Sequence, residues 1–133
     1  MVRWHWLGCV VVALLVLGGC GGSKTTPVKV SGTVEVDGKP LDDGSINLLG
    51  EAGTPASSFP VKNGKFEGTA TPGKKKVEIY AYKQVAPTMM GDKPVEGSDK
   101  QNYLPARFNT STTLTTEVTA SGLNPSDFKV QGQ

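Results

Sequence analysis

From Val28 onward the chain alternates apolar and polar residues with a period of two, in short bursts separated by turn residues. In "VKVSGTVEVDG", Val28, Val30, Val34 and Val36 fall on one side with Gly32, and Lys29, Ser31, Thr33 and Glu35 fall on the other. Strand side chains point alternately to two faces, so such a segment buries one face and wets the other. "GKPLDDG", from Gly38 to Gly44, is turn chemistry, and Ile46 and Leu48 continue the alternation on a returning strand. "FPVKNGKFEG" carries the sharpest local signal. Asn63-Gly64 suits a type I′ hairpin, whose two central residues both need positive φ. That register sets Lys62 opposite Lys65 and Val61 opposite Phe66, with the apolar pair turned to the core and the lysines solvated at an exposed hairpin end.

Thr71-Pro72-Gly73 turns the chain again, and "KKKVEIYAYK" alternates Val77, Ile79 and Ala81 against Glu78, Tyr80 and Tyr82. Residues 84–107 break the pattern with Pro87, Gly91, Pro94 and Gly97. It resumes with Leu114, Thr116, Val118 and Ala120, and ends with Phe128 and Val130 turned inward. No helical period of useful length occurs. Several short strands at this spacing predict an all-β fold, a single antiparallel β-sandwich over residues 28–133.

The N-terminus has a different grammar. Arg3 and the amino terminus give a positive start, Leu7 to Leu17 an apolar core, and Gly18 and Gly19 a small-residue exit into Cys20. That order marks a secretory signal over residues 1–19, which takes no part in the fold. The apolar core falls short of the ~20 positions a spanning helix needs. Leu17-Gly18-Gly19-Cys20 resembles the lipobox of bacterial lipoproteins. The resemblance implies cleavage before Cys20 and acylation of its thiol, with palmitate among the attached chains. A flexible tether, residues 20–27, then joins the lipid to the domain, its seven residues from Gly21 to Pro27 reaching at most roughly 25 Å. The expected location is the cell envelope, membrane-anchored, facing the periplasm or the cell exterior.

The leader removes chemistry as well as residues. The single histidine, His5, both tryptophans, Trp4 and Trp6, and Cys9 all lie within it. With Cys20 acylated, no free thiol or disulfide remains. A Ser-His-Asp triad, a thiol nucleophile and a zinc site of imidazole or thiolate are excluded. The formal net charge of +2 falls by one when Arg3 is lost, so nothing points to nucleic acid.

"SGTVEVDGKPLDDGSINL", "VKNGKF" and "TPGKKKVEI" resemble the opening strand and G-x-P-L turn, the N-G-x-F hairpin and the P-G strand start of carboxypeptidase regulatory-like, or transthyretin-like, sandwich domains. Lys75 stands where that family usually places an aromatic residue. "LPARFNTSTTLTTEVTASG" is similar to the last third of small bacterial lipoproteins of this type, and the resemblance spans about 28–130. It implies an immunoglobulin/transthyretin-like sandwich and no particular activity, because such sandwiches host many roles. The enzymatic branch of that fold depends on histidines and a Y-R-G-S tail, and the mature chain has neither.

Asp37, Asp42 and Asp43 cluster at the first turn. They either make that turn or offer oxygens to calcium, although their spacing is not that of an EF-hand loop. Glu51, Glu67, Glu78, Glu96 and Glu117 show no pattern that pairs two carboxylates for glycoside hydrolysis. Lys74, Lys75 and Lys76 read as a solvated strand edge, with anionic headgroups or envelope polymers as the alternative. Tyr80 and Tyr82 either stack on a sugar or pack beneath residues 84–107. Met89, Met90 and Tyr103 give that segment something to bury and an adaptable surface to offer. The expectation is a non-enzymatic, lipid-anchored interaction or structural module of the envelope, with no cofactor and no metal, and with lipid on Cys20. Its candidate partner-binding residues are Tyr80, Tyr82, Met89, Met90 and Tyr103. The alternative is a glycan- or peptide-binding domain at the cell surface.

Overall fold

The computed structural model describes residues 25–51 and 54–132. Residues 1–24, which include the expected signal peptide, Cys20 and most of the expected tether, lie outside the described residues. Twelve strands follow in order: β1 (Val28–Val36), β2 (Lys39–Pro40), β3 (Asp43–Leu49), β4 (Ser57–Lys62), β5 (Lys65–Ala70), β6 (Gly73–Gln84), β7 (Met89–Met90), β8 (Lys93–Pro94), β9 (Lys100–Asn102), β10 (Thr115–Thr119), β11 (Gly122–Asn124) and β12 (Asp127–Val130). A 3₁₀ turn over Ala106–Phe108 is the one helical element among the described residues. The fold is all-β and sandwich-like, one strongly curled sheet whose two halves face each other.

The sheet runs β11-β10-β6-β3-β4-β5-β1-β12, with β2 added beside β1 and β9 beside β6. Its pairs are antiparallel except β12, which lies parallel to β1 with Val34 beside Phe128 and Val36 beside Val130. An antiparallel sandwich thus describes all of it but that edge.

The hairpin at Asn63-Gly64 forms as its sequence demands, with φ of 52° and 75° at the two central residues and Lys62 paired with Lys65. Pairing of β4 with β5 goes no further, because β4 stays with β3 and β5 turns to β1. Val61 and Phe66 therefore do not face each other across a ladder; Val61 aligns with Gly44 and Phe66 with Gly32. Both are buried, one from each half of the curled sheet. Lys62, Asn63 and Lys65 are exposed at the hairpin end as expected, but Gly64 is buried. The amide of Gly64 donates to the Leu41 carbonyl at 2.7 Å, and the amide of Val34 donates to the Gly64 carbonyl at 2.9 Å.

Between the two halves lie Val30, Val34, Ile46, Leu48, Val61, Val77, Ile79 and Val118, all at most 3 % exposed. The Phe66 ring stacks near Phe59 (6.2 Å between centroids) and Phe128 (6.3 Å). Gly32 makes room for it: a Cβ there would come within 2.7 Å of the ring. Burying an aromatic ring of this kind contributes roughly 1.5–3 kcal/mol.

Lys75 corrects the reading of Lys74–Lys76 as a strand edge. β6 is an interior strand, flanked by β3 and β10. Lys75 falls in phase with Val77 and Ile79 and is only 3 % exposed. Its ammonium donates to Thr71 Oγ1 at 2.8 Å, and burial holds its pKa below the ordinary lysine value. The long alkyl stem fills the core position while the head reaches toward the Thr71 turn.

Residues 84–107 are also more regular than the sequence implies. β6 runs on to Gln84, β7 and β8 make a small hairpin, and β9 returns along β6. Residues 86–97 are exposed throughout. Met89 is 54 % exposed and Met90 77 % exposed on an arm that projects beyond the sheet.

Candidate functional site

The strand registers sort the described loops into two ends. Val28 pairs with Ala70, Lys76 with Leu49, and Gly73 with Val118, so the chain enters at the same end as the turns at 71–73 and 119–122. Val36, Asp43, Lys62, Tyr82 and Val130 lie at the opposite end. Along β1 the two ends are roughly 26 Å apart, at ~3.3 Å per residue.

The far end holds a cleft of about 420 Å³ lined by Asp37, Lys39, Asp42, Asp43, Tyr82 and Tyr103, with Val36, Pro40 and Leu41 beneath. Three local features build it. Asp37-Gly38 forms a second tight turn with φ of 52° and 77°, which pairs β2 with β1 and places Asp37 at the rim. β9 pairs with the end of β6, setting Asn102 beside Tyr82 and so bringing Tyr103 to the cleft. Asn102 then fixes the chain: its Oδ1 accepts from the amides of Ala81 (3.1 Å) and Leu104 (3.2 Å). Leu104, 5 % exposed, anchors the next turn, and Asn109 donates to its carbonyl at 3.3 Å.

The electrostatics follow from these placements. Tyr103 is shifted above the ordinary phenol range, first by burial and then by the charges of Asp37 and Asp42. Asp43 binds Lys62 at 2.7 Å and Lys100 at 2.6 Å, and these hydrogen bonds, that to Lys100 foremost, hold its carboxyl below the ordinary carboxylate range. Asp37 accepts from the Gly132 amide at 3.0 Å. Among the described residues, no three His, Cys, Asp or Glu side chains group as a metal site. Of the three aspartates at the first turn, Asp43 thus holds two lysines and Asp37 a backbone amide, and all three line the cleft.

Of the sequence-predicted partner residues, the structure brings Tyr82 and Tyr103 together in this cleft. Tyr82 lies 3.5 Å from the Ser45 hydroxyl. Tyr80 stays apart: its hydroxyl donates to Glu78 at 3.2 Å, and burial raises its pKa, helped by the Glu78 charge. Met89 and Met90 belong to the arm that springs from the same end. The arm is closed at its base by Val85 donating to the Asp99 carbonyl (2.8 Å), and Ser98 Oγ accepts from the Thr88 amide at 2.8 Å. Lys39 and Asn102 escaped the sequence reading, although "QNY" just before a buried leucine carried a faint signal of an anchored turn.

A larger depression of about 730 Å³ lies at the other end, lined by Leu49, Lys74, Lys76, Thr115, Glu117 and Asn124 among others. Its lining mixes exposed register partners on neighbouring strands, Lys74 with Glu117 and Lys76 with Thr115, with the buried pair Lys75 and Thr116. It has no aromatic wall. The smaller cleft is the better candidate because two aromatic rings and several polar groups converge in it.

The chain matches no protein-family model, no curated protein and no solved structure.

Proposed function

We propose that the protein is a non-enzymatic lipoprotein of the cell envelope, a transthyretin-like sandwich held to a membrane by acylated Cys20 and presenting its far end to a protein partner. The observation that carries this reading is the placement of the Tyr82–Tyr103 cleft and the methionine arm at the end opposite the one at which the chain enters the domain. A tethered module gains reach by carrying its contact surface away from its anchor. Exposed methionines supply an adaptable apolar contact, and tyrosines supply area at low entropic cost. The resemblance of Leu17-Gly18-Gly19-Cys20 to a lipobox, and the lack of histidine and free thiol after it, support the anchor and the non-enzymatic role.

A second reading rests on the same cleft. Two tyrosines beside Asp37 and Asp42 are also a setting for a sugar, with ring stacking on one side and hydroxyl-to-carboxylate hydrogen bonds on the other.

Intact-mass measurement of protein extracted from the membrane fraction tests the anchor. The expected mass is that of residues 20–133 plus a diacylglyceryl group and acyl chain, with Cys20→Ser left as uncleaved precursor. An unmodified Cys20 in the membrane fraction would overturn it. Titration of the purified protein with envelope glycans, followed by the fluorescence of Tyr82 and Tyr103, decides between glycan and protein partner.

A further inference from the structure

The end at which the chain enters the domain has a charge character of its own. Lys29, Lys74 and Lys76 are exposed there, Lys75 is buried among them, and the nearby carboxylates are Glu51, Glu67 and Glu117. The turns that form the tip, residues 25–27, 71–73 and 119–122, carry no charged side chain of either sign, so the lysines are the first charges behind it together with Glu117. The ion pairs of the described residues, Asp43 with Lys62 and Lys100 and Glu35 with Lys129, lie in the other half of the molecule. None of the four entry-end lysines takes part in a salt bridge among the described residues, although Lys74 stands directly across the ladder from Glu117. The far end, by contrast, sets aspartates against its lysines.

The length of chain before β1 decides what this end meets. Only Gly21 to Pro27 separate Cys20 from Val28, so an acylated Cys20 keeps the entry end within roughly 25 Å of the lipid surface even when the tether is fully extended. Lys76, the lysine deepest along the strand, is three residues from the Gly73 tip, roughly 10 Å. That distance is comparable with the Debye length at physiological salt, and the lysine stem shortens it. We propose that the entry end of the domain rests on anionic phospholipid headgroups through Lys29, Lys74 and Lys76, so that the anchored protein stands with its cleft and arm pointing away from the membrane. This rests on the lipid-anchor reading above. Each lysine beside such a surface strengthens the contact roughly fivefold, which is too weak to hold a free domain and ample to orient a tethered one.

The test is lysine footprinting on the full lipidated protein in vesicles of phosphatidylcholine, with and without phosphatidylglycerol. A water-soluble acylating reagent marks exposed amines, and mass spectrometry reads each site; the same spectra report whether Cys20 carries lipid. The expected result is a several-fold loss of labelling at Lys29, Lys74 and Lys76 in the anionic vesicles, none at Lys93 on the arm, and recovery in molar salt. Lys74→Glu combined with Lys76→Glu should restore labelling at Lys29. Lipid on Cys20 with equal labelling in both vesicle types would overturn the orientation and leave the anchor standing. Protection at Lys93 instead would overturn it in the opposite sense. An unmodified Cys20 would overturn the anchor, and the orientation with it.

Discussion

The two hairpins at the far end differ in a way that their residue types do not suggest. The Asn63-Gly64 turn is polar, flanked by lysines, and is locked: Asn63 and Gly64 donate to the carbonyls of Asp42 and Leu41, and Gly64 is buried. The β7–β8 arm carries Met89, Met90 and Val95, and stands in solvent. The difference teaches that backbone hydrogen bonds, and not side-chain polarity, decide whether a turn belongs to the body of a small β-domain. A turn whose amides are claimed by a neighbouring loop becomes structural. An arm whose hydrogen bonds close on themselves can be spent on contact with something else. Asp43 joins the two, with one carboxylate oxygen on Lys62 of the hairpin and the other on Lys100 at the root of the arm.

The largest effect belongs to the locked hairpin. Gly64→Val places a β-branched residue at positive φ and drives its Cβ to 2.6 Å from Pro40 Cβ. The expected loss is about 3 kcal/mol, strain and overpacking together. It should appear as a lowered urea midpoint with little change in slope. An unchanged midpoint would break the contrast.

A smaller effect is expected at the junction. Asp43→Asn removes both lysine contacts from a carboxylate whose side chain is 27 % exposed, and should cost about 0.5–1 kcal/mol at neutral pH and low salt. Because the folded state holds the Asp43 pKa below its ordinary value, it binds that proton less readily than the unfolded chain does. Its contribution is therefore present above the ordinary carboxylate range and disappears as pH falls through the folded pKa. Denaturation midpoints of wild type and variant should converge in acid and in high salt. A gap that persists in acid would assign the effect to packing.

The smallest effect is expected on the arm. Met89→Ser with Met90→Ser should change stability by no more than about 0.5 kcal/mol, because both side chains are already in solvent. Limited proteolysis sharpens the contrast: cuts between Thr88 and Ser98 should precede any cut at Asn63. Early cleavage at Asn63 would reverse the comparison.

Much of the fold was legible from residue alternation. β1 spans Val28–Val36 as its valines foretell, and the Asn63-Gly64 turn has the φ values and the lysine register its dipeptide requires. Lys75 was legible too, since its phase matches Val77 and Ile79, but charge outweighed phase in the reading of "KKK". Other features had no local signal. The parting of β4 from β5 after one pair depends on the competing partners β3 and β1, which lie far off in sequence. β9 is "KQN", without an apolar alternation, and forms because the end of β6 offers an open edge. The meeting of Tyr82 with Tyr103 depends on that pairing, so the sequence offered both residues without showing that they share a cleft.

The proposed partner surface can be tested by photo-crosslinking in intact cells. A photoreactive residue is placed at Met90, at Tyr103 or at Thr115, the last being exposed in the depression at the entry end. Discrete protein adducts from positions 90 and 103, and none from 115, are expected. Protein adducts from 115 alone, or none from 90 and 103 while the protein is intact, would contradict the assignment of the far end as the binding surface.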